Sequence, residues 1–353
     1  MARGTDFGGI HSHHTLNLIQ QSVEVEPAEP KLNLIEIPGA DGAVDMSEQP
    51  AGRVTYNTRK ITWTFGLYPG ENWDAKHRQV SNALNGRKCN ITLDTDPDYY
   101  YQGRLSVTKH KVDGVLRQIT VVAICQPYKL RQEQTSVFVP FCGKNLINPT
   151  YLEDPSNFYP NTAVYISVPI VLKPNTSYVI SCDSIAKPTT QVVLNIGTGP
   201  WESTSKPNIL RNVFNLHQTG RTTRLVAQFT TGGSALYYLQ YYMNGATRDE
   251  WTAGEWMTRM CTNLQLEEGS ASSVYEAYTA TEGPLIMALL NDRQTTTPTI
   301  ICQEPTTLTF GGATLGLDSG THKILDLQLE EGITEVTLES TGPVAIIYQE
   351  GSL

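Results

Sequence analysis

The sequence predicts a mostly all-β chain with a single early helix, and three observations carry that expectation. Gly, Pro, Thr and Asn punctuate short runs of β-branched and aromatic residues along nearly the whole length. One stretch has helical spacing, with Trp73, His77, Val80 and Leu84 on one face and Gly86 placed as a C-terminal cap. The 353 residues point to two or three domains, each long enough to bury a core.

The elements follow in order. Residues 60–67 alternate as a strand before the helix, 89–93 form another after it, and 94–98 read as a turn. Residues 104–112 and 115–124 alternate on either side of Asp113 and Gly114, a hairpin signal. Gln126 and Pro127 close this first unit, 1–130. Beyond it the helical signal stops. Runs at 162–172, 176–183, 191–196, 222–229, 236–243 and 256–266 read as the strands of a two-sheet sandwich. A last segment offers strands at 285–290, 299–303, 323–329, 334–339 and 344–349, too few for a thick sandwich. The strand-like run 135–141 completes it if residues 143–280 are an insertion into a C-terminal unit made of 131–142 and 281–353. Leu-Gln-Leu-Glu-Glu-Gly occurs at both 264–269 and 327–332 with unlike flanks, which reads as a recurring strand-end turn rather than a duplication.

Charge and composition exclude several classes. With 26 basic and 35 acidic residues the formal net charge is −9, a poor match for a general nucleic-acid binder or for anionic lipid. No run approaches the roughly 20 apolar residues of a membrane span, and Arg3 is followed by no apolar core of a secretory signal. The six cysteines, at 89, 125, 142, 182, 261 and 302, show no CxxC-type spacing and read as buried thiols of a protein made in a reducing cytoplasm.

Catalytic chemistry is not visible. His11, His13 and His14 lack a carboxylate or cysteine at ligand spacing; in an extended segment His11 and His13 share a face and His14 opposes them, so a loop or interface role is preferred to a metal site. Asp94, Asp96 and Asp98 lack the Gly and Glu of a calcium loop, with Tyr99 and Leu105 at those positions. Glu267–Glu268 and Glu330–Glu331 are adjacent and would diverge on a strand, unlike a facing glycosidase pair. No enzyme, metal or cofactor is expected. A binding face is better supported. If 236–244 is a strand, Tyr237, Leu239, Tyr241 and Met243 face the core, while Tyr238, Gln240, Tyr242 and Asn244 interleave aromatics and amides on the other side. Trp201, in a Gly-Pro turn, adds an exposed ring. Sugars stack on such rings, and protein interfaces use them equally.

An ordered string of features gives a further pointer: Phe7-Gly8-Gly9-Ile10-His11-Ser12, Ile37-Pro38-Gly39-Ala40-Asp41-Gly42 with Asp45, Tyr56-Asn57-Thr58-Arg59-Lys60-Ile61, the helix ending at Leu84-Asn85-Gly86, Asp94 to Arg104, and Pro127-Tyr128. In this order, over the first third of the chain, it resembles the N-terminal domain of siphophage distal tail proteins. The resemblance implies an N-terminal β-barrel or split barrel that builds a hexameric ring joining the tail tube to the tail-tip hub, and C-terminal galectin-like sandwiches that point outward. Tyr348 to Leu353 looks like the end of such a galectin-like domain. Asn145-Leu146-Ile147, Leu172 to Ser181, Leu264 to Ser270 and Tyr275-Glu276-Ala277-Tyr278 make the insertion similar to a jelly-roll carbohydrate-binding module.

The partners this implies are six like subunits, the tail tube protein, the tail-tip hub or tail-associated protein, a receptor-binding protein and host cell-wall polysaccharide, with no specific nucleic acid and no membrane. The location implied is the virion tail tip, after assembly in the host cytoplasm. Within this frame the Gly-rich stretch 37–52 is expected to reach a neighbouring subunit through Gly39, Asp41, Gly42 and Asp45, the competing reading being a surface loop. Two alternatives stay open: a purely structural hub whose insertion binds other tail proteins, and a bacterial carbohydrate-binding protein.

Overall fold

A computed structural model describes residues 4–113, 116–148, 150, 164–184, 191–199, 208–210, 223–244, 261–281 and 283–353. The chain is mostly β. The first unit is built on β1 (Thr5–Phe7), β2 (Leu18–Val25), a separate pair β3 (Leu34–Glu36) and β4 (Ala43–Asp45), β5 (Arg59–Leu67), helix α1 (Trp73–Leu84), β6 (Lys88–Leu93), β7 (Asp96–Asp113) and β8 (Leu116–Arg131). Six of these strands form an antiparallel sheet in the order β1-β6-β7-β8-β5-β2. Alternation dictates its faces: Ile61, Trp63 and Phe65 are fully buried on one side of β5, and Lys60, Thr62 and Thr64 stand on the other. Burying each such large side chain contributes about 1.5–3 kcal/mol. Phe7 meets Trp63 edge to face at 5.1 Å, and Trp63 Nε1 donates to Thr5 Oγ1 at 3.0 Å, so the ring's one polar atom is satisfied inside the core. The helix starts where the Asn72 side chain accepts from the Ala75 N–H, and it buries Trp73, Val80 and Leu84. Gly103 is required by close approach, since a Cβ there would lie 2.5 Å from Cys125 Sγ.

The turn expected at 94–98 shrinks to Asp94 and Thr95. β7 already begins at Asp96, with Pro97 next to its first residue, a position that strands tolerate.

β9 (Thr135–Val139) crosses to the C-terminal region and pairs with β23 (Val344–Tyr348). Between them in sequence lie two groups of strands. The first is β10 (Val164–Val171), β11 (Ser177–Ser184), β12 (Gln191–Gly197), β13 (Asn208–Leu210), β14 (Thr223–Thr230), β15 (Leu236–Asn244) and β16 (Cys261–Glu268). They form two sheets, β10-β15-β12-β13 and β14-β11-β16. The second is β17 (Leu285–Asn291), β18 (Thr299–Cys302), β19 (Thr306–Phe310), β20 (Ala313–Leu317), β21 (Gly320–Lys323) and β22 (Gly332–Ser340). With β9 and β23 they make sheets β17-β22-β19-β20 and β21-β18-β23-β9 around one apolar core that includes Val139, Leu289, Leu308, Leu338 and Ile346. A short last strand, β24 (Gly351–Ser352), returns to pair with β8 at Lys129 and Leu130.

Chain entry to and exit from the first group run side by side: Gly143 N–H donates to the Thr279 carbonyl at 2.8 Å, and Thr281 N–H to that of Phe141 at 2.9 Å. Of the strand expected at 323–329 only Lys323, the end of β21, is in a strand. The chain turns at Leu325 and Asp326, Leu327 N–H reaches the Ile324 carbonyl, and Leu327 and Leu329 plug the core from an irregular segment. The expectation placed no strand at β1, β2, β3, β4, β13, β19, β20 or β24, and reached only the last residue of β21.

Candidate interaction surfaces

Residues 31–55 leave the first sheet as an arm. Its root is fixed by Lys31 N–H to the Thr55 carbonyl and Asn57 N–H to that of Glu29, both at 2.8 Å. Beyond the root, β3 pairs among the described strands with β4 alone, and every residue of both strands is exposed. Leu32, Leu34, Ile35, Ile37 and Val44 are each 44–64 % exposed. An isolated two-stranded hairpin is marginal in water, and one presenting aliphatic side chains on both faces gains stability when another surface covers it. Of the residues expected to contact a neighbour, Gly39 and Gly42 shape the tip with φ of +85° and +79°, and Asp41 is exposed between them. Asp45 sits at the end of β4, where the Ser47 hydroxyl and then its N–H donate to the carboxylate and hold it below the usual range. Within the Gly-rich stretch 37–52, Ala43–Asp45 is the return strand of a hairpin.

The candidate sugar-binding residues divide. Trp201 lies outside the described residues, and so do the side chains of Tyr242 and Asn244. Tyr237 and Leu239 are buried, on the face read as core. Tyr238 is half-buried. Gln240 is 3 % exposed, and its Nε2 donates to the Gly199 carbonyl at 2.8 Å. The expectation of an exposed amide here is corrected. β15 lies between β10 and β12, which place Ser167 and Asn195 beside Gln240, and the turn at Gly199 covers the row. An amide alternating with apolar residues can belong to a covered polar row as readily as to a binding face.

The histidines sit in a turn, not an extended segment. His11 Nδ1 accepts the N–H groups of His13 and His14 at 3.2 Å, which leaves the ring proton on Nε2, 3.2 Å from Asp94. The His11 and His14 rings are 4.5 Å apart rather than opposed. Asp94 also accepts from Gly4 N–H, while Asp96 binds Lys129 at 2.7 Å, so these two carboxylates do not converge. Among the described residues no group of three His, Cys, Asp or Glu side chains is arranged to hold a metal. Burial pushes the Cys125 and Cys142 thiols up to about 12, which makes them poor nucleophiles.

A buried polar knot, invisible in the sequence, ties the base of the 143–280 segment. Asn145 Nδ2 donates to the Leu264 carbonyl, and its Oδ1 accepts from Ile147 and Leu266. Glu267, 2 % exposed, accepts from Ser273 N–H at 2.8 Å and its hydroxyl at 2.7 Å, with Lys144 Nζ at 3.4 Å. Burial pushes this carboxyl up, but the Ser273 hydrogen bonds and Lys144 outweigh it and hold the acid below its ordinary value.

No protein-family model matches the chain, and no curated protein matches it. Among solved structures, the chain is similar to the SPP1 Dit (gp 19.1) protein, described as a paradigm of the hub adsorption apparatus in phages infecting Gram-positive bacteria. That likeness has 14 % identity, covers 100 % of both chains and has a TM-score of 0.39. A Paenibacillus xanthan lyase is similar at 9 % identity over 84 % of this chain and 34 % of its own, with a TM-score of 0.20. Likenesses of this size assign neither a family nor an activity. No helix among the described residues is long and apolar enough to cross a membrane.

Proposed function

We propose that this chain is a non-enzymatic structural subunit of a phage tail tip, a distal tail protein. Its arm closes a six-membered ring between the tail tube and the tail-tip hub. The observation that carries the reading is the arm itself: a two-stranded hairpin with five large aliphatic side chains uncovered is a surface built to be occupied. The ordered motifs of the first unit supply the class, and the pairing of β9 with β23 supports residues 143–280 as an insertion into a C-terminal sandwich. A tail ring must also let DNA pass without gripping it, which suits a chain of net charge −9.

Light scattering and negative-stain imaging of the purified protein test this: six-fold rings are expected, and deletion of 39–49 is expected to leave single subunits. Hexamers that survive the deletion would sink the role of the arm. For the insertion, the reading is a sugar-binding module. The burial of Gln240 favours a second reading, in which it binds another tail protein. Pull-down on purified host cell-wall polysaccharide separates the two, with loss on Tyr238→Ala expected for the first and no retention at all for the second.

A further inference from the structure

The first sheet carries a row that the described residues of its own chain leave open. Lys88 on β6, Arg104 on β7, Ile124 on β8 and Lys60 on β5 are successive register partners. Their side chains therefore stand in line on one face, with neighbouring strands about 4.8 Å apart. The residues beside them, Leu105, Cys125 and Arg59, are buried on the opposite face, whereas all four members of the row are exposed, Ile124 at 50 %. Arg104 is fixed by donating to the Gly86 carbonyl at 2.7 Å, and Lys60 is paired with Glu26 at 2.6 Å. The row borders an open depression of about 650 Å³, lined also by Asn85 and Gln102. It is an aliphatic side chain flanked by cations, on an acidic protein.

The arm offers the opposite pattern. The pairing of Leu34 with Asp45 and of Glu36 with Ala43 puts these four side chains on one face. Leu34 is set there beside two carboxylates, whose residues are diagonal neighbours about 7–8 Å apart. Ile35 and Val44 pair on the other face. Within one chain the arm strands are exposed and the row is open, so the arm does not cover its own row.

We propose that the arm of one copy lies, by its Leu34–Glu36–Asp45 face, across the Lys88–Arg104–Ile124–Lys60 row of a second copy. This rests on the ring reading and names its acceptor surface. The contact is heterologous, arm to row, so each subunit gives one and receives one, as ring closure requires.

The test is charge exchange read by sedimentation velocity, with thermal melts checking that each variant folds. Glu36→Lys alone, and Lys88→Glu with Arg104→Glu, are each expected to weaken assembly by about tenfold or more, because like charges then face each other. All three changes together are expected to recover it. A wild-type protein that assembles and is indifferent to both sets overturns the docking and leaves the ring reading standing. Loss in each set without recovery in the combination also overturns the pairing. A wild type that sediments as single subunits overturns both. As a readout independent of charge, a mixture of Glu36→Cys and Arg104→Cys proteins is expected to form a mixed disulfide dimer under mild oxidation by copper phenanthroline. Absence of that dimer in an assembled sample overturns the proposal.

Discussion

The same six residues, Leu-Gln-Leu-Glu-Glu-Gly, stand in two different structures. At 264–269 they are the end of β16, laddered to β11; at 327–332 they are an irregular crossing that touches Thr296 through Leu329 before β22 begins at Gly332. The leucines do the same work in both places: Leu264, Leu266, Leu327 and Leu329 are 5 % exposed or less. The polar residues do not. Gln265 and Glu267 are covered by the strap that carries Ser273 and Glu276, while Gln328 and Glu330 are exposed. Spacing of apolar residues thus fixes which side chains point inward, and the neighbouring backbone decides whether the segment becomes a strand. The comparison contradicts the expectation of one recurring strand-end turn, since the first copy ends a strand and the second precedes one.

If the leucines are equivalent despite their different backbones, Leu266→Ala and Leu329→Ala should cost alike, about 2–5 kcal/mol each. Hydrogen exchange read on peptides from each region keeps the two effects apart, which a single melting temperature would not in a chain of several units. A loss at Leu329 well below that at Leu266 would show that the irregular segment relaxes around the cavity and that the equivalence is only geometric.

The glutamates should separate the two copies. Glu267→Gln removes a buried charge from Ser273 and Lys144 and is expected to cost about 2 kcal/mol, while Glu330→Gln, on an exposed side chain, should stay within about 0.5 kcal/mol. The pH dependence follows from the sign of the shift. The folded Glu267 carboxyl lies below its ordinary 4.5, so its contribution is present above that value and is lost as pH falls through the folded pKa. Glu267→Gln should therefore flatten the acid limb of stability in residues 143–280 and leave its neutral plateau lower. Equal acid limbs in wild type and variant would remove the knot as the pH-sensitive element.

Much of the fold was legible, for reasons that also explain the gaps. Period-2 alternation located β5, β6, β8 and most strands of 143–280, and helical spacing with Gly86 behind it located α1, whereas the Asn72 cap was not read. β19 and β20 were missed although Gly311 and Gly312 form a two-residue hairpin turn between them, with positive φ at both. Residues 323–329 were over-read because Ile324, Leu325, Leu327 and Leu329 look strand-like, whereas the ladder of β21 ends at Lys323 and Leu325 is 72 % exposed. At the candidate surfaces, the composition of 37–52 pointed to an extension, but the apolar side chains that make the arm conspicuous begin earlier, at Leu32. Gln240 was misplaced because a polar residue inside a central strand gives the same alternation whether water or Gly199 satisfies it. The Asn145 and Glu267 knot joins residues more than a hundred positions apart, which no local pattern reports.

The glycines that end the two copies should give a smaller loss than Glu267, and one that does not separate the copies. Gly269 has φ +146° and Gly332 φ +102°, both in the region that side chains avoid. A Cβ at Gly332 would meet nothing within 4 Å, and one at Gly269 would only touch the Ala271 carbonyl at 4.0 Å, so substitution costs backbone strain and nothing else. Ala at either position is expected to cost about 1 kcal/mol, the low end for such backbone strain. Asn should bring no relief. It tolerates the left-handed helical region near φ +57°, and neither glycine is there. Paired Ala and Asn variants at 269 and 332, each measured by exchange in its own region, should therefore give four similar losses. An Asn variant matching wild type at one position would show that the chain there can relax into the left-handed well, and that only the other copy is held by its surroundings.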